Sequence, residues 1–187
     1  MREFLVVGHK AVTHGNFSLD DMPGSAGRMD ILCRCVNAAL SLSHDMRRDV
    51  RVHLLLLGAP SPPKLVRFEG ASLKYLNPDE RSAGALIKKA LSKEVGEFEI
   101  ESTPGVFVRR CDFAVVLKEL QGRQIIYLRE DGTDIRDAVS GMDSPVFALG
   151  DHMGMTGEEE ALLAGCSAKV VSVGPRALHA DQCIVVV

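Results

Sequence analysis

Apolar residues change their spacing several times along this 187-residue chain, and each change predicts an element. Residues 3 to 8, ending Phe4-Leu-Val-Val-Gly8, carry a strand-like apolar bias, and the turn-rich run from Gly15 to Gly24 reads as a long loop. From about Gly27 to Ser43 the residues Met29, Leu32, Cys33, Val36, Ala39 and Leu40 recur at three- and four-residue steps, the period of one helix face. Val50 to Leu57 returns to strand, which predicts a β-α-β unit with a parallel pair. Gly58-Ala-Pro-Ser-Pro-Pro63 reads as a rigid loop. Leu65 to Phe68 and Ser72 to Tyr75, on either side of Glu69-Gly70-Ala71, predict a small hairpin.

The second half continues the alternation. Pro78-Asp-Glu-Arg-Ser82 opens a helix running to about Leu91, with serine or aspartate capping the first turn. Strands are expected near 98–101 and 106–108, a helix over 112–120, a strand over 124–128, a turn at 130–132 and a short helix over 134–139. Pro145 to Leu149 and Ala168 to Val173 are strands, and Thr156-Gly-Glu-Glu159 starts a helix leading into Ala161-Leu162-Leu163. Alternating strands and helices place the chain in the α/β class with a mostly parallel sheet. No repeat or low-complexity tract divides it, and 187 residues is the length of one large domain or two small ones.

Composition narrows the possibilities. At 46% apolar the chain can bury a sizeable core, and its formal net charge of -3 gives no general attraction to nucleic acid or anionic membrane, so RNA contact would need a local basic patch. No apolar run is long enough to span a bilayer and the start reads as a strand, not a signal peptide, which points to the cytoplasm. Five cysteines without CxxC spacing argue against a disulfide framework and against zinc, so no metal is expected; Cys33 and Cys35 read as ordinary helix residues.

Two of these strands empty into unusual loops, Gly150-Asp-His-Met-Gly154 and Gly174-Pro-Arg-Ala-Leu178. Ligands of open α/β sheets bind at the carboxyl ends of strands, where glycine lets a ligand reach main-chain groups. A small cofactor held mainly by backbone is the first expectation; plain turns are the bland one. The usual fingerprints are absent: no GxGxxG, no GxxxxGK[ST], no GxSxG and no HExxH.

Phe4-Leu-Val-Val-Gly-His9, Phe17-Ser-Leu-Asp-Asp21, the run from Gly24 to Asn37, Pro78-Asp-Glu-Arg-Ser82, Leu149-Gly-Asp-His-Met-Gly154 and Ser172 to Cys183 together resemble the archaeal tRNA pseudouridine-54 N1-methyltransferases of the SPOUT superfamily. The likeness spans nearly the whole chain and implies one domain over residues 1–187, with a β-α-β part over 1–120 and a cofactor-binding part over 121–187. It implies a deep trefoil knot in the carboxyl-terminal part, S-adenosylmethionine (SAM) as cofactor and tRNA as substrate, with a ribosomal RNA pseudouridine or a non-catalytic RNA-binding module as alternatives. It also implies a cofactor site at Leu128, Gly150, Val173, Gly174, Pro175, Arg176, Ala177, Leu178 and Cys183. Leu128, Leu149 and Leu178 offer an apolar slot, and a branched residue at Gly150 or Gly174 would take space the ligand needs.

Cys183 and His179 could form a nucleophile and base. Pseudouridine, however, has a free N1-H whose nitrogen can take a methyl group directly once deprotonated, so no covalent adduct is needed. Asp79 is the candidate for handling that proton, against a plain helix-capping role, and Asp151 is the competing carboxylate. Phosphate contacts are expected at Arg28, Arg67, Arg81, Arg109 and Arg110, gathered into a basic face. A homodimer is implied, its surface built from Ala161-Leu162-Leu163 together with an exposed end from Ile184 to Val187.

Overall fold

The computed structural model describes residues 1–138 and 143–187; the expected end of a helix at Val139 lies outside the described residues. In chain order the elements are β1 (Arg2–Gly8), α1 (Met22–Ser25), α2 (Met29–Leu40), β2 (Val50–Leu56), β3 (Lys64–Glu69), α3 (Glu80–Leu91), β4 (Ile100–Thr103), β5 (Val106–Arg110), α4 (Phe113–Glu119), β6 (Ile125–Asp134), α5 (Ile135–Ala138), β7 (Val146–Gly150), α6 (Gly157–Gly165), β8 (Lys169–Ser172) and α7 (Ala180–Val186). All eight strands join one sheet in the order β4-β5-β3-β2-β1-β7-β6-β8. The pairings β1–β2, β1–β7, β6–β7 and β6–β8 are parallel; β2–β3, β3–β5 and β4–β5 are antiparallel.

Period-two alternation sorts the strand side chains onto two faces. Phe4 and Val6 point with Val52, Leu54, Val66, Phe68, Phe147 and Leu149 into a core that α2, α3 and α7 cover. Leu5 and Val7 point the other way with Leu55, Leu65, Tyr127 and Ala148, under α4 and α6. Each fully buried leucine or phenylalanine contributes about 1.5–3 kcal/mol. β1 and β7 are in register with Phe4 opposite Phe147, the rings stacked at 5.7 Å.

Helix starts follow local chemistry. Asp79 accepts the Ser82 amide, Asp112 the Val115 amide, and Thr156 and Glu159 form a reciprocal capping box, satisfying amides that have no partner inside the first turn. α2 begins after Arg28, which adopts the left-handed region at φ 66°.

Three expectations are corrected. Ser72 to Tyr75 do not form a strand: the amides of Ser72 and Leu73 turn back to the Glu69 carbonyl at 3.2 and 2.9 Å, and β5 occupies the edge of β3 that a hairpin partner would need. The run from Gly15 to Gly24 is not all loop, since Asp21 caps the short helix α1. The end of the chain, expected to be exposed from Ile184 to Val187, is helix α7, which buries Ile184 against α2 while leaving Val185 and Val186 exposed. α6 packs on the opposite face of the sheet from α7, through Leu163.

Candidate functional site

A cavity of about 400 Å³ opens where β6, β7 and β8 end, closed on one side by the first turn of α7. Three local features shape it. The register between β6 and β8 breaks between Leu128 and Thr133, so residues 129–132 leave the ladder. After β7 the chain doubles back: Asp151 and Gly154 form an isolated bridge, Gly154 takes φ +72°, and a Cβ on Gly150 would lie 2.4 Å from the Gly154 backbone. Glycine is required at both positions, at one for space and at the other for conformation. After β8 the Ser172 hydroxyl donates to the Gly174 carbonyl at 2.8 Å, tightening the turn.

The cavity brings together Leu128, Gly150, Val173, Arg176, Ala177, Leu178 and Cys183 of the expected cofactor residues. Gly174 and Pro175 are not on its wall, and a Cβ on Gly174 meets no protein atom within 4 Å. At Gly150, which is on the wall, a side chain would first meet the loop's own backbone. Burial, with Asp181 nearby, pushes the Cys183 thiol above its usual value, which suits a wall residue better than a thiolate nucleophile.

Sequence reasoning missed the polar side of the cavity. The Tyr127 hydroxyl donates to Glu160 Oε1 at 2.9 Å, and Arg129 donates to the same oxygen at 3.0 Å. Burial first, then the Glu160 contact, pushes the Tyr127 hydroxyl up to about 12, so it stays protonated and acts as a donor. Asp151, the competing carboxylate, is on the cavity wall, and its side chain, 3% exposed, accepts from the His9 amide at 2.8 Å and the Met153 amide at 2.9 Å. The signal for His9 was its place directly after a strand-ending glycine.

Asp79 is exposed at the start of α3, outside the cavity wall, with its carboxylate accepting the Ser82 amide at 2.7 Å. Arg34 links that helix start to the cavity: it donates to Asp30 at 3.1 Å and Glu80 at 3.3 Å, and lies 3.8 Å from Asp181 in the first turn of α7. The five arginines do not gather on one face. Arg67 and Arg109 lie on the α4 side, bound to Glu99 and Glu119, and Arg110 donates to the Pro62 carbonyl. Arg28 pairs with Asp30 and Arg81 with Asp20 beside α2 and α3. Alternation along β3 and β5 turns Arg67 and Arg109 to the α4 face, while Arg28 and Arg81 sit beside helices that cover the other face.

The whole chain, residues 1–187, matches the family model described as "Putative SAM-dependent RNA methyltransferase". The chain belongs to that family of SAM-dependent RNA methyltransferases. Among its relatives are proteins named tRNA (pseudouridine(54)-N(1))-methyltransferase from Methanosarcina acetivorans, 61% identical over 98% of this chain and 87% of the relative, and from Methanococcoides burtonii, 59% identical over 100% and 94%. The crystal structure of Archaeoglobus fulgidus Nep1 bound to S-adenosylhomocysteine superposes with a TM-score of 0.63 over 98% of this chain and 93% of that one; at 14% identity the likeness is one of fold.

The cavity fits the cofactor that defines the methyltransferase family. Its volume lies within the roughly 300–1,000 Å³ of small-molecule sites, its apolar wall carries Leu128, Leu149 and Leu178, and its carboxylates Glu130 and Glu160 suit a ligand with a cationic sulfur and an ammonium group. Among the described residues no group of histidine, cysteine, aspartate or glutamate is arranged to hold a metal ion. No described helix is long and apolar enough to cross a membrane.

Proposed function

We propose that this chain transfers a methyl group from SAM to N1 of pseudouridine 54 in the T-loop of tRNA. The observation that carries this reading is full-length identity near 60% to relatives bearing that name, combined with a cavity of the right size and polarity at the strand ends. SAM supplies an electrophilic methyl on a positively charged sulfur. Leu128, Leu149 and Leu178 would hold its flat base, the main chain around Val173 to Leu178 would meet its polar edges, and Tyr127, Arg129 and Glu160 would orient its charged end.

The rest of the reading concerns the partner groups. Asp79 orients the target base or takes the N1 proton, being tied to the cavity through Glu80, Arg34 and Asp181. Arg28 and Arg81, on the α2 and α3 side, are the phosphate contacts nearest in the fold to that chemistry. The chain works as a single cytoplasmic domain whose carboxyl-terminal part, where β8 is followed by α7 lying back across α2, is threaded as a trefoil knot. Two copies pair through the α7 face, where Val185 and Val186 are exposed, instead of through α6.

Mass spectrometry of tRNA nucleosides after incubation with SAM tests the activity. Methylation is expected only in transcripts carrying pseudouridine at position 54. Equal methylation of plain uridine would overturn the chemistry, and methylation of ribosomal RNA in place of tRNA would overturn the substrate.

A further inference from the structure

His9 follows β1 directly, and its ring sits between two segments on which the cavity depends. Nδ1 lies 3.2 Å from Asp151 Oδ1, and Nε2 lies 3.0 Å from Glu159 Oε2. Asp151 opens the turn that carries Gly154 and Met155 to the cavity wall, and its Oδ1 also accepts the Met153 amide. Glu159 belongs to the capping box of α6, its Oε2 accepting the Thr156 amide at 2.7 Å. The imidazole therefore ties the start of this turn to the helix at its end.

Carboxylates only accept, so a ring that satisfies both partners must donate from both nitrogens, which is the imidazolium form. A neutral ring in either tautomer would aim a lone pair at a carboxylate oxygen about 3 Å away. The two carboxylate side chains are only 3% and 10% exposed, so water cannot easily take over the lost bond. Burial pushes the ring towards its neutral form, but the hydrogen bonds with Glu159 and then Asp151 outweigh it, and the pKa lies above the ordinary histidine value. Two other groups act on the cluster: Arg28, whose charge reaches Asp151 from the start of α2, and His152, whose Nδ1 is 3.8 Å from Asp151 Oδ1.

We infer that His9 is a positioning residue whose imidazolium, by bridging Asp151 to Glu159, holds the 150–155 wall of the cavity in the shape that binds SAM, and that cofactor affinity falls when the ring gives up its proton. This rests on the cavity being the SAM site. The bridge is complete at pH below the ordinary histidine value and is lost as pH rises through the raised one.

Calorimetric titration with S-adenosylhomocysteine across that pH range, on wild type, His9→Asn and His9→Gln, tests it. Asparagine keeps a donor near the place of Nδ1 and glutamine near that of Nε2, so each retains half of the bridge. Wild type is expected to lose about tenfold in affinity as pH rises, the scale of one charge-assisted hydrogen bond. The variants should bind about tenfold more weakly on the acid side and show no such step. Nitrogen-15 resonances of the wild-type ring should show both nitrogens protonated where binding is tightest, a readout that does not depend on the variants folding. Parallel pH profiles, or a neutral ring at that pH, would overturn the role of His9 alone. Folded wild-type protein that binds no S-adenosylhomocysteine at any pH would overturn the SAM site itself, and the role of His9 with it.

Discussion

The two ends of β1 carry opposite arrangements of the same kinds of groups. At the amino end a carboxylate, Glu3, sits among donors: Arg123 reaches Oε1 at 2.6 Å, His53 reaches Oε2 at 2.7 Å, and Arg51 lies 3.6 Å away. Just beyond the carboxyl end an imidazole, His9, sits between two carboxylates. Burial would push the Glu3 carboxyl up, but the hydrogen bonds from His53 and Arg123 prevail and bring it down to about 2. Glu3 therefore stays ionised throughout the neutral range and acts as a fixed anchor, while His9 titrates closer to neutrality. One end of the strand ties the sheet together, and the other ties down the loop that walls the cavity.

Breaking the anchor should have the largest effect. Glu3→Ala leaves Arg123 and His53 without their buried carboxylate partner, and because Arg123 and Arg51 stay partly in water a stability loss of about 1.5–3 kcal/mol is expected in urea denaturation. An unfolding midpoint equal to wild type would remove the anchor role. The same contrast has a pH signature. Because the folded state holds the Glu3 carboxyl below its ordinary 4.5, its stabilisation is complete above that value and is lost as pH falls towards about 2. Glu3→Gln should flatten that acid limb, and an unchanged acid limb would assign it to other carboxylates.

At the other end the expected losses are in binding, not in stability. Gly150→Val forces the turn away from Gly154 and should weaken S-adenosylhomocysteine binding about 100-fold, the scale of an ångström-sized misplacement. Tyr127→Phe removes one hydrogen bond to Glu160 and should cost about 1 kcal/mol of binding, several-fold in affinity by calorimetry. Gly174→Ala enters open space and should change affinity by no more than about 0.5 kcal/mol. A Gly174 variant as damaged as the Gly150 variant would redraw the cavity.

Local signals in the sequence survived folding well. The three- and four-residue steps from Met29 to Leu40 became α2, the Pro78 to Ser82 run capped α3 through Asp79, and Thr156 with Glu159 started α6 as expected. The strand ends at Gly150 and Ser172 do open onto the cavity, with Leu128, Leu178 and Cys183 on its wall. Elements that depend on a distant partner were not legible: Ser72 to Tyr75 has strand-like residues, but β5 took the edge it would have used.

What the sequence determined by itself, then, is most of the elements, their caps, the α/β class and the two loops that border the cavity, because each is decided within a few neighbouring residues. Motif likeness pointed to the family. Only the tertiary structure decided which charges meet. His9 joins Asp151 and Glu159 across 142 and 150 positions of sequence, Glu3 meets Arg123 across 120, and the five arginines divide between two faces of the sheet. Spacing along a chain carries no information about such distances. They are set by the strand order β2-β1-β7-β6, which places the end of β1 beside the end of β7 and buries the carboxylates of both charge clusters.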